Sequence, residues 1–254
     1  MVRRVLGKSN LSVSPIGFGA FKIGRNQGIK YAHGYDLPEL KAVQVLLDGA
    51  LDLGINYVDT APAYGLSEER LGNALQHRIR DLVISTKVGE SFADGRSTYD
   101  FSEAGIEASI ERSLRLLQRD ALDLVFIHAP ADDLAVQRDT DAIATLQALK
   151  TAGKVRAIGL SGKTAAGFQL AFDWADVLMI EYSPLDTSLA ATIAAAAARN
   201  IGIVIKKGLA SGGLTAAHAV PFALNTPGVG AMVIGSLRLE HLAEAVQLAG
   251  ATST

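Results

Sequence analysis

Cysteine is missing from all 254 residues. Without a thiol the chain forms no disulfide, uses no thiolate nucleophile and holds no cysteine-ligated zinc. A reducing cytoplasm is compatible with this and is the expected location. Histidine is sparse: five residues at 33, 77, 128, 218 and 241, without the spacing that puts two on one helix face. No metal site is therefore expected. Neither sign of charge dominates, with 24 Lys plus Arg against 26 Asp plus Glu, a net charge of -2. No Lys/Arg run gives the electrostatic footprint of a nucleic-acid or acidic-membrane partner. No apolar stretch reaches the roughly 20 residues that span a bilayer. Met1-Val2-Arg3-Arg4 lacks the apolar run of a signal peptide.

What is present is a regular alternation. The chain is 49% hydrophobic and 20% charged, which suits one large α/β domain over residues 1–254. Residues 3–13 read as a small hairpin around Gly7-Lys8-Ser9-Asn10. Ile16-Gly17-Phe18-Gly19 reads as a first core strand. It is no dinucleotide fingerprint, because Lys22 stands where a third glycine should fall and a long loop, Lys22 to Leu37, is expected in place of a helix. Helix-periodic segments near 38–53, 67–77, 102–118, 140–151, 164–173, 187–199, 213–224 and 238–249 then alternate with short apolar runs. Those runs are 55–58, 82–86, 122–127, 155–160, 177–180, 201–205 and 231–234. Eight such strands, apolar on both faces, predict a closed (β/α)8 TIM barrel with a short N-terminal β-hairpin.

In such a barrel, chemistry belongs to the C-terminal strand ends. The polar residues there are Asp59 and Tyr64 after the second strand, Lys87 after the third and His128 after the fourth. Each alone is ordinary: an Asp making a turn, a Tyr packing on it, a Lys where a strand meets water, a satisfied strand-end His. Their falling on three consecutive strand ends of one face is what asks for an explanation. A free phenol has a pKa near 10, and a neighbouring ammonium is expected to bring it down towards the working range. Asp59 would hold Lys87 charged, and His128 would orient a substrate oxygen. The set suits an acid that reduces a carbonyl or a base that oxidises an alcohol. None of the four carries electrons, so a hydride donor must be bound.

The blocks Gly17-Phe18-Gly19, Asn56 to Ala61 with Tyr64-Gly65, Ser85-Thr86-Lys87-Val88, Leu124 to His128 with Pro130, and Gly153 to Ser161 run in one order along the chain. In these blocks the sequence resembles the aldo-keto reductases over nearly its whole length. The resemblance implies a catalytic tetrad of Asp59, Tyr64, Lys87 and His128, and a nicotinamide cofactor, NADP(H) with NAD(H) possible, held without a Rossmann fold. It implies a small carbonyl or sugar as the partner molecule, and a monomer is expected. It places Ser161 on the nicotinamide amide, with Gly162 in place of the family's Asn. Met179 falls where a Gln is common, with Glu181 nearby, and Lys207 where an aromatic often stacks. Gly208, Leu209, Ser211 and Gly213 form a small-residue loop suited to a pyrophosphate. Gly235, Ser236, Arg238, His241 and Glu244 correspond to the adenosine-phosphate pocket, with Arg238, aided by Lys206 and Lys207, the candidate for a 2′-phosphate. Ala129 replaces a frequent Trp, and only Gly250 to Thr254 follow the last helix. An open pocket bordered by the 22–37 loop, with Tyr31 and Tyr35, is therefore expected. Two rivals stay open: a cofactor-binding sensor or accessory subunit with little turnover, and an unrelated barrel hydrolase or isomerase, which would want paired carboxylates.

Overall fold

The computed structural model describes residues 1–29, 34–76 and 78–251. β1 (Arg4–Val5) and β2 (Ser12–Val13) pair antiparallel as the opening hairpin. The first half continues as β3 (Ile16–Gly19), α1 (Phe21–Gly24), α2 (Leu40–Asp52), β4 (Tyr57–Asp59), α3 (Ser67–Ala74) and β5 (Val83–Val88). A second antiparallel pair, β6 (Glu90–Ala93) and β7 (Arg96–Tyr99), precedes α4 (Glu103–Leu117) and β8 (Leu122–His128). Then follow α5 (Asp133–Asp139), α6 (Ala142–Thr151), β9 (Val155–Ser161), α7 (Ala165–Ala171), β10 (Val177–Glu181), α8 (Ala190–Ala197), β11 (Gly202–Lys206), α9 (Ala216–Asn225), β12 (Val229–Ile234) and α10 (Leu239–Ala251).

Eight parallel strands close in the order β10-β11-β12-β3-β4-β5-β8-β9. Both faces of each strand are buried, so their sequences are near-continuous apolar runs. Outward residues such as Val58, Ile84, Val125, Ile158, Leu178 and Ile205 meet the helices. Inward residues, among them Tyr57, Leu124, Phe126, Val177, Met179 and Val204, fill the barrel interior, where Leu6, Leu11 and Val13 of the hairpin join them. The hairpin plugs the end where the strands begin, Lys8 N donating to Asn200 O at 2.7 Å just ahead of β11. Leu6 has no exposed surface, and truncating such a leucine to alanine typically costs about 2–5 kcal/mol.

Helix starts follow local hydrogen-bond chemistry. Ser102, Asp132 and Thr164 each accept, through a side-chain oxygen, the amide three residues on, satisfying an N–H the first turn leaves unpaired. α9 carries Pro221 inside it, which removes one internal hydrogen bond and explains the blurred periodicity there.

Two expectations need correction, and two further elements, α5 and the β6–β7 ribbon, were not expected. The loop expected from Lys22 begins inside a helical turn, α1. The helix expected over 140–151 is α6 alone, preceded by a separate α5 whose seven residues, with both ends acidic, give too few turns for a periodic signal. The helix expected over 67–77 ends at Ala74. The ribbon β6–β7 was not expected: its strands are half-exposed or exposed and short of apolar residues, so alternation does not reveal them. Tyr31 lies outside the described residues.

Candidate active site

The last inward residues of the strands make a ring at the barrel mouth: Asp59 on β4, Lys87 on β5, His128 on β8, Ser161 on β9, Glu181 on β10 and Lys206 on β11. The register fixes this level, with Asp59 beside Ser85, His128 beside Ser161, and Glu181 beside Lys206. Alternation along each strand places their side chains on the axis rather than among the helices.

Lys87 is 1% exposed and makes three bonds, to Asp59 Oδ1, Asp59 Oδ2 and Thr60 O, each at 2.8 Å. Asp59 also accepts from Ser85 Oγ at 2.7 Å, and Ser85 Oγ lies 2.9 Å from the Tyr57 hydroxyl. Burial lowers the affinity of Lys87 for its proton, but Asp59 and Tyr64 reverse this and raise its pKa on balance. It stays an ammonium at neutral pH.

Tyr64 ends a short 3-10 turn, Pro62–Tyr64. Gly65 follows at φ 62°, and a Cβ there would stand 2.5 Å from Gly24 O, so a side chain would force apart the two segments that hold the tyrosine. Lys87 Nζ lies 4.6 Å from the Tyr64 ring centre, and the His128 ring meets it edge-on at 6.2 Å. Desolvation raises the phenol pKa, Lys87 opposes it and Asp59 adds to it. The net direction is upward. Lys87 does pull the phenol pKa down, as expected, but burial outweighs it, so the expected approach to neutrality is corrected and the phenol keeps its proton. His128 Nδ1 lies 2.8 Å from Glu90 Oε2. Glu90 escaped sequence reasoning, although an acid three residues past a strand-end lysine was the available signal.

The cofactor candidates separate into three groups. Ser161 Oγ accepts from Lys206 Nζ at 2.9 Å, and Gly162 O accepts from the same ammonium at 3.1 Å. Met179 is 1% exposed and lies in the interior core below the rim. Lys207, at φ 53°, is exposed and places Nζ 2.7 Å from Glu181 Oε2 at the rim. Lys206, one residue earlier, is therefore the lysine that enters the mouth, and its ammonium goes to Ser161 instead of joining Arg238. Along the next loop, Ala210, Ser211 and Gly212 all have positive φ, while Gly208 and Gly213 keep it slim and Leu209 rests on the core. The third group follows β12. Ser236 is buried, its Oγ accepting from Arg238 N at 3.0 Å and lying 3.2 Å from His241 Nδ1. Gly235, Arg238, His241 and Glu244 are exposed at or near the start of α10, where the helix N-terminus favours an anion.

Fold and ring together define a (β/α)8 barrel whose mouth gathers titratable side chains. A sequence model of the Aldo/keto reductase family matches residues 15–219, and the chain belongs to that family. It is 34% identical over 224 residues to L-galactose dehydrogenase of Arabidopsis thaliana, covering 84% of this chain and 66% of that one. To an uncharacterized oxidoreductase, YqkF, of Bacillus subtilis it is 33% identical over 165 residues, covering 63% and 49% respectively. The chain thus spans about half to two thirds of the length of these relatives. A crystal structure from Pseudomonas aeruginosa assigned to the aldo-keto reductases superposes with a TM-score of 0.92 at 41% identity, over 100% of this chain and 96% of that one. The holo form of the Bacillus halodurans aldo-keto reductase AKR11C1 gives 0.84 at 25% identity, over 98% and 90%. Among the described residues, no helix is long and apolar enough to cross a membrane.

Proposed function

We propose that the protein interconverts small carbonyl compounds, sugars included, with their alcohols, using NADP(H) in preference to NAD(H), in the reducing cytoplasm that a cysteine-free chain suits. The observation that carries this is the placement of Tyr64 against the buried Asp59–Lys87 pair, with His128 across the same mouth. A carbonyl oxygen between Tyr64 and His128 would gain its proton from the phenol. Lys87 would steady the phenolate left behind, and Asp59, unable to approach the substrate itself, keeps Lys87 charged and in place.

A dinucleotide fits the residues present. The mouth holds an ammonium, Lys206, with no carboxylate bound to it among the described residues, and the 207–213 loop lacks bulk. Arg238 stands at the start of α10. Bound there, a nicotinamide supplies the hydride. Ser161, Gly162 and Lys206 would hold its ring end, Gly208, Leu209, Ser211 and Gly213 its pyrophosphate, and Ser236, Arg238, His241 and Glu244 its adenosine phosphate.

Tyr64→Phe removes one hydroxyl and little volume. Carbonyl reduction should fall by about 10²–10⁴-fold, the range expected on losing a general acid. Cofactor binding, read from the nicotinamide's own fluorescence, should hardly change. Trp174 is unsuited as the reporter, because it sits before β10 at the far end of the barrel, its Nε1 bonded to Gln137 Oε1 at 3.0 Å. Near-wild-type turnover in Tyr64→Phe would remove the phenol from the mechanism.

A further inference from the structure

Lys206 lacks the counter-ion that strand register offers it. Glu181 is its partner across β10 and β11, at the same level of the rim. That carboxylate is taken instead by Lys207, Nζ to Oε2 at 2.7 Å, from a residue at φ 53°. Lys206 reaches past β10 to the end of β9, where Nζ donates to Ser161 Oγ at 2.9 Å and to Gly162 O at 3.1 Å. Both acceptors are neutral, and no carboxylate is bonded to this nitrogen among the described residues.

An amine so placed is pressed towards its neutral form. Burial does most of this, Lys207, Lys87 and Lys163 add repulsion, and Glu181 opposes them, so that Lys206 titrates at about 7. About half of it is neutral at pH 7, against roughly one part in a few thousand for an ordinary lysine. The neutral amine has two N–H bonds and one lone pair. Ser161 Oγ and Gly162 O take the two N–H bonds, and the lone pair is left for an electrophile. Lys206 keeps some exposure, so a small molecule in the mouth reaches it. His128 and Lys87 lie near enough for their proton affinities to be coupled to its charge. Desolvation beside other cations is how a lysine becomes a nucleophile.

We propose that Lys206 is an amine nucleophile that captures small aldehydes as an imine in the cofactor-free mouth. The lone pair of Nζ adds to the carbonyl carbon, and one amine proton passes to the oxygen to give a carbinolamine. The C–O bond then breaks as C=N forms, and both amine protons leave on the departing water. Nothing is oxidised or reduced. No hydride is needed, so the imine stands apart from the carbonyl/alcohol reading of the site. A dinucleotide with its ring end on Ser161, Gly162 and Lys206 would cover the same nitrogen, so capture and hydride transfer exclude one another.

The test is labelling of the cofactor-free protein at pH 7 with glyceraldehyde and cyanoborohydride, which reduces an imine to a stable secondary amine. Peptide mass spectrometry then maps the adducts. Lys206 should be labelled at least about tenfold faster than any exposed lysine, its neighbours Lys207 and Lys163 included. The preference should shrink at pH 9, where exposed lysines gain neutral amine and Lys206 has little left to gain. Lys206→Met should lose the fast adduct alone, and NADPH should slow it in the wild type at least about tenfold. Fast labelling that NADPH leaves untouched would still support the nucleophile and would move the nicotinamide off Ser161 instead. Labelling of Lys206 no faster than that of the exposed lysines at pH 7 would overturn the proposal, whatever turnover Tyr64→Phe retains.

Discussion

Asp133 occupies the space that a side chain at position 162 would need. A Cβ on Gly162 would stand 3.0 Å from Asp133 Oδ2 and equally close to Leu160 Cδ2. Asp133 is fully buried and committed: it accepts from Lys163 N at 2.7 Å, Thr164 N at 2.8 Å and Thr164 Oγ1 at 2.6 Å. The loop beyond Ser161 is thus pinned from below by a carboxylate, and the glycine is the room left for it.

Gly162→Asn, which would reinstate the residue common at this position in the family, is therefore expected to strain the loop. Overpacking of this size costs about 1–3 kcal/mol. Urea unfolding should show the loss, and NADPH titration should show no gain in affinity. Tighter cofactor binding at undiminished stability would mean that the amide finds a contact and that Asp133 yields.

The barrel was legible because its strands are buried on both faces, and runs such as Leu122 to Ile127 have no other soluble explanation. The four catalytic candidates were legible because each terminates or follows such a run. What the sequence hid is of another kind. β6 and β7 are half-exposed or exposed and lack an apolar face, so Glu90 reaches His128 through a ribbon that periodicity does not mark. Which of two adjacent lysines enters the mouth depends on strand register and a single left-handed residue, Lys207, both set by tertiary packing. The upward direction of the Tyr64 pKa likewise depends on how far its oxygen is desolvated, a quantity absent from residue order.

Arg238 offers a test of the cofactor assignment. Its side chain is 69% exposed, and its Nε lies 3.6 Å from Glu240, a screened contact of little worth. A guanidinium this free to move can close on a phosphate bidentately. Arg238→Ala should weaken NADPH binding about tenfold or more and leave NADH nearly unchanged, without loss of stability. Equal weakening of both cofactors in binding titrations would move the 2′-phosphate contact elsewhere.

Lys206 makes the fold itself sensitive to pH. Burial lowers its pKa first, Lys207 and Lys87 lower it further, and Glu181, already paired with Lys207, restores little, so that it stands at about 7 against 10.5 for an ordinary lysine. The folded state therefore binds this proton less tightly than the unfolded chain does. Below pH 7 both states carry it and the cost of the unpaired ammonium is fully present. As pH rises from 7 towards 10.5, only the unfolded chain keeps the proton, and the cost fades. Lys206→Met should accordingly be more stable than the wild type at pH 6, even after losing the bonds to Ser161 and Gly162 O, and the gap should narrow steadily by pH 9. Urea midpoints at the two pH values, taken without cofactor, decide the matter. A gap that does not change with pH would show that Lys206 titrates like an exposed lysine.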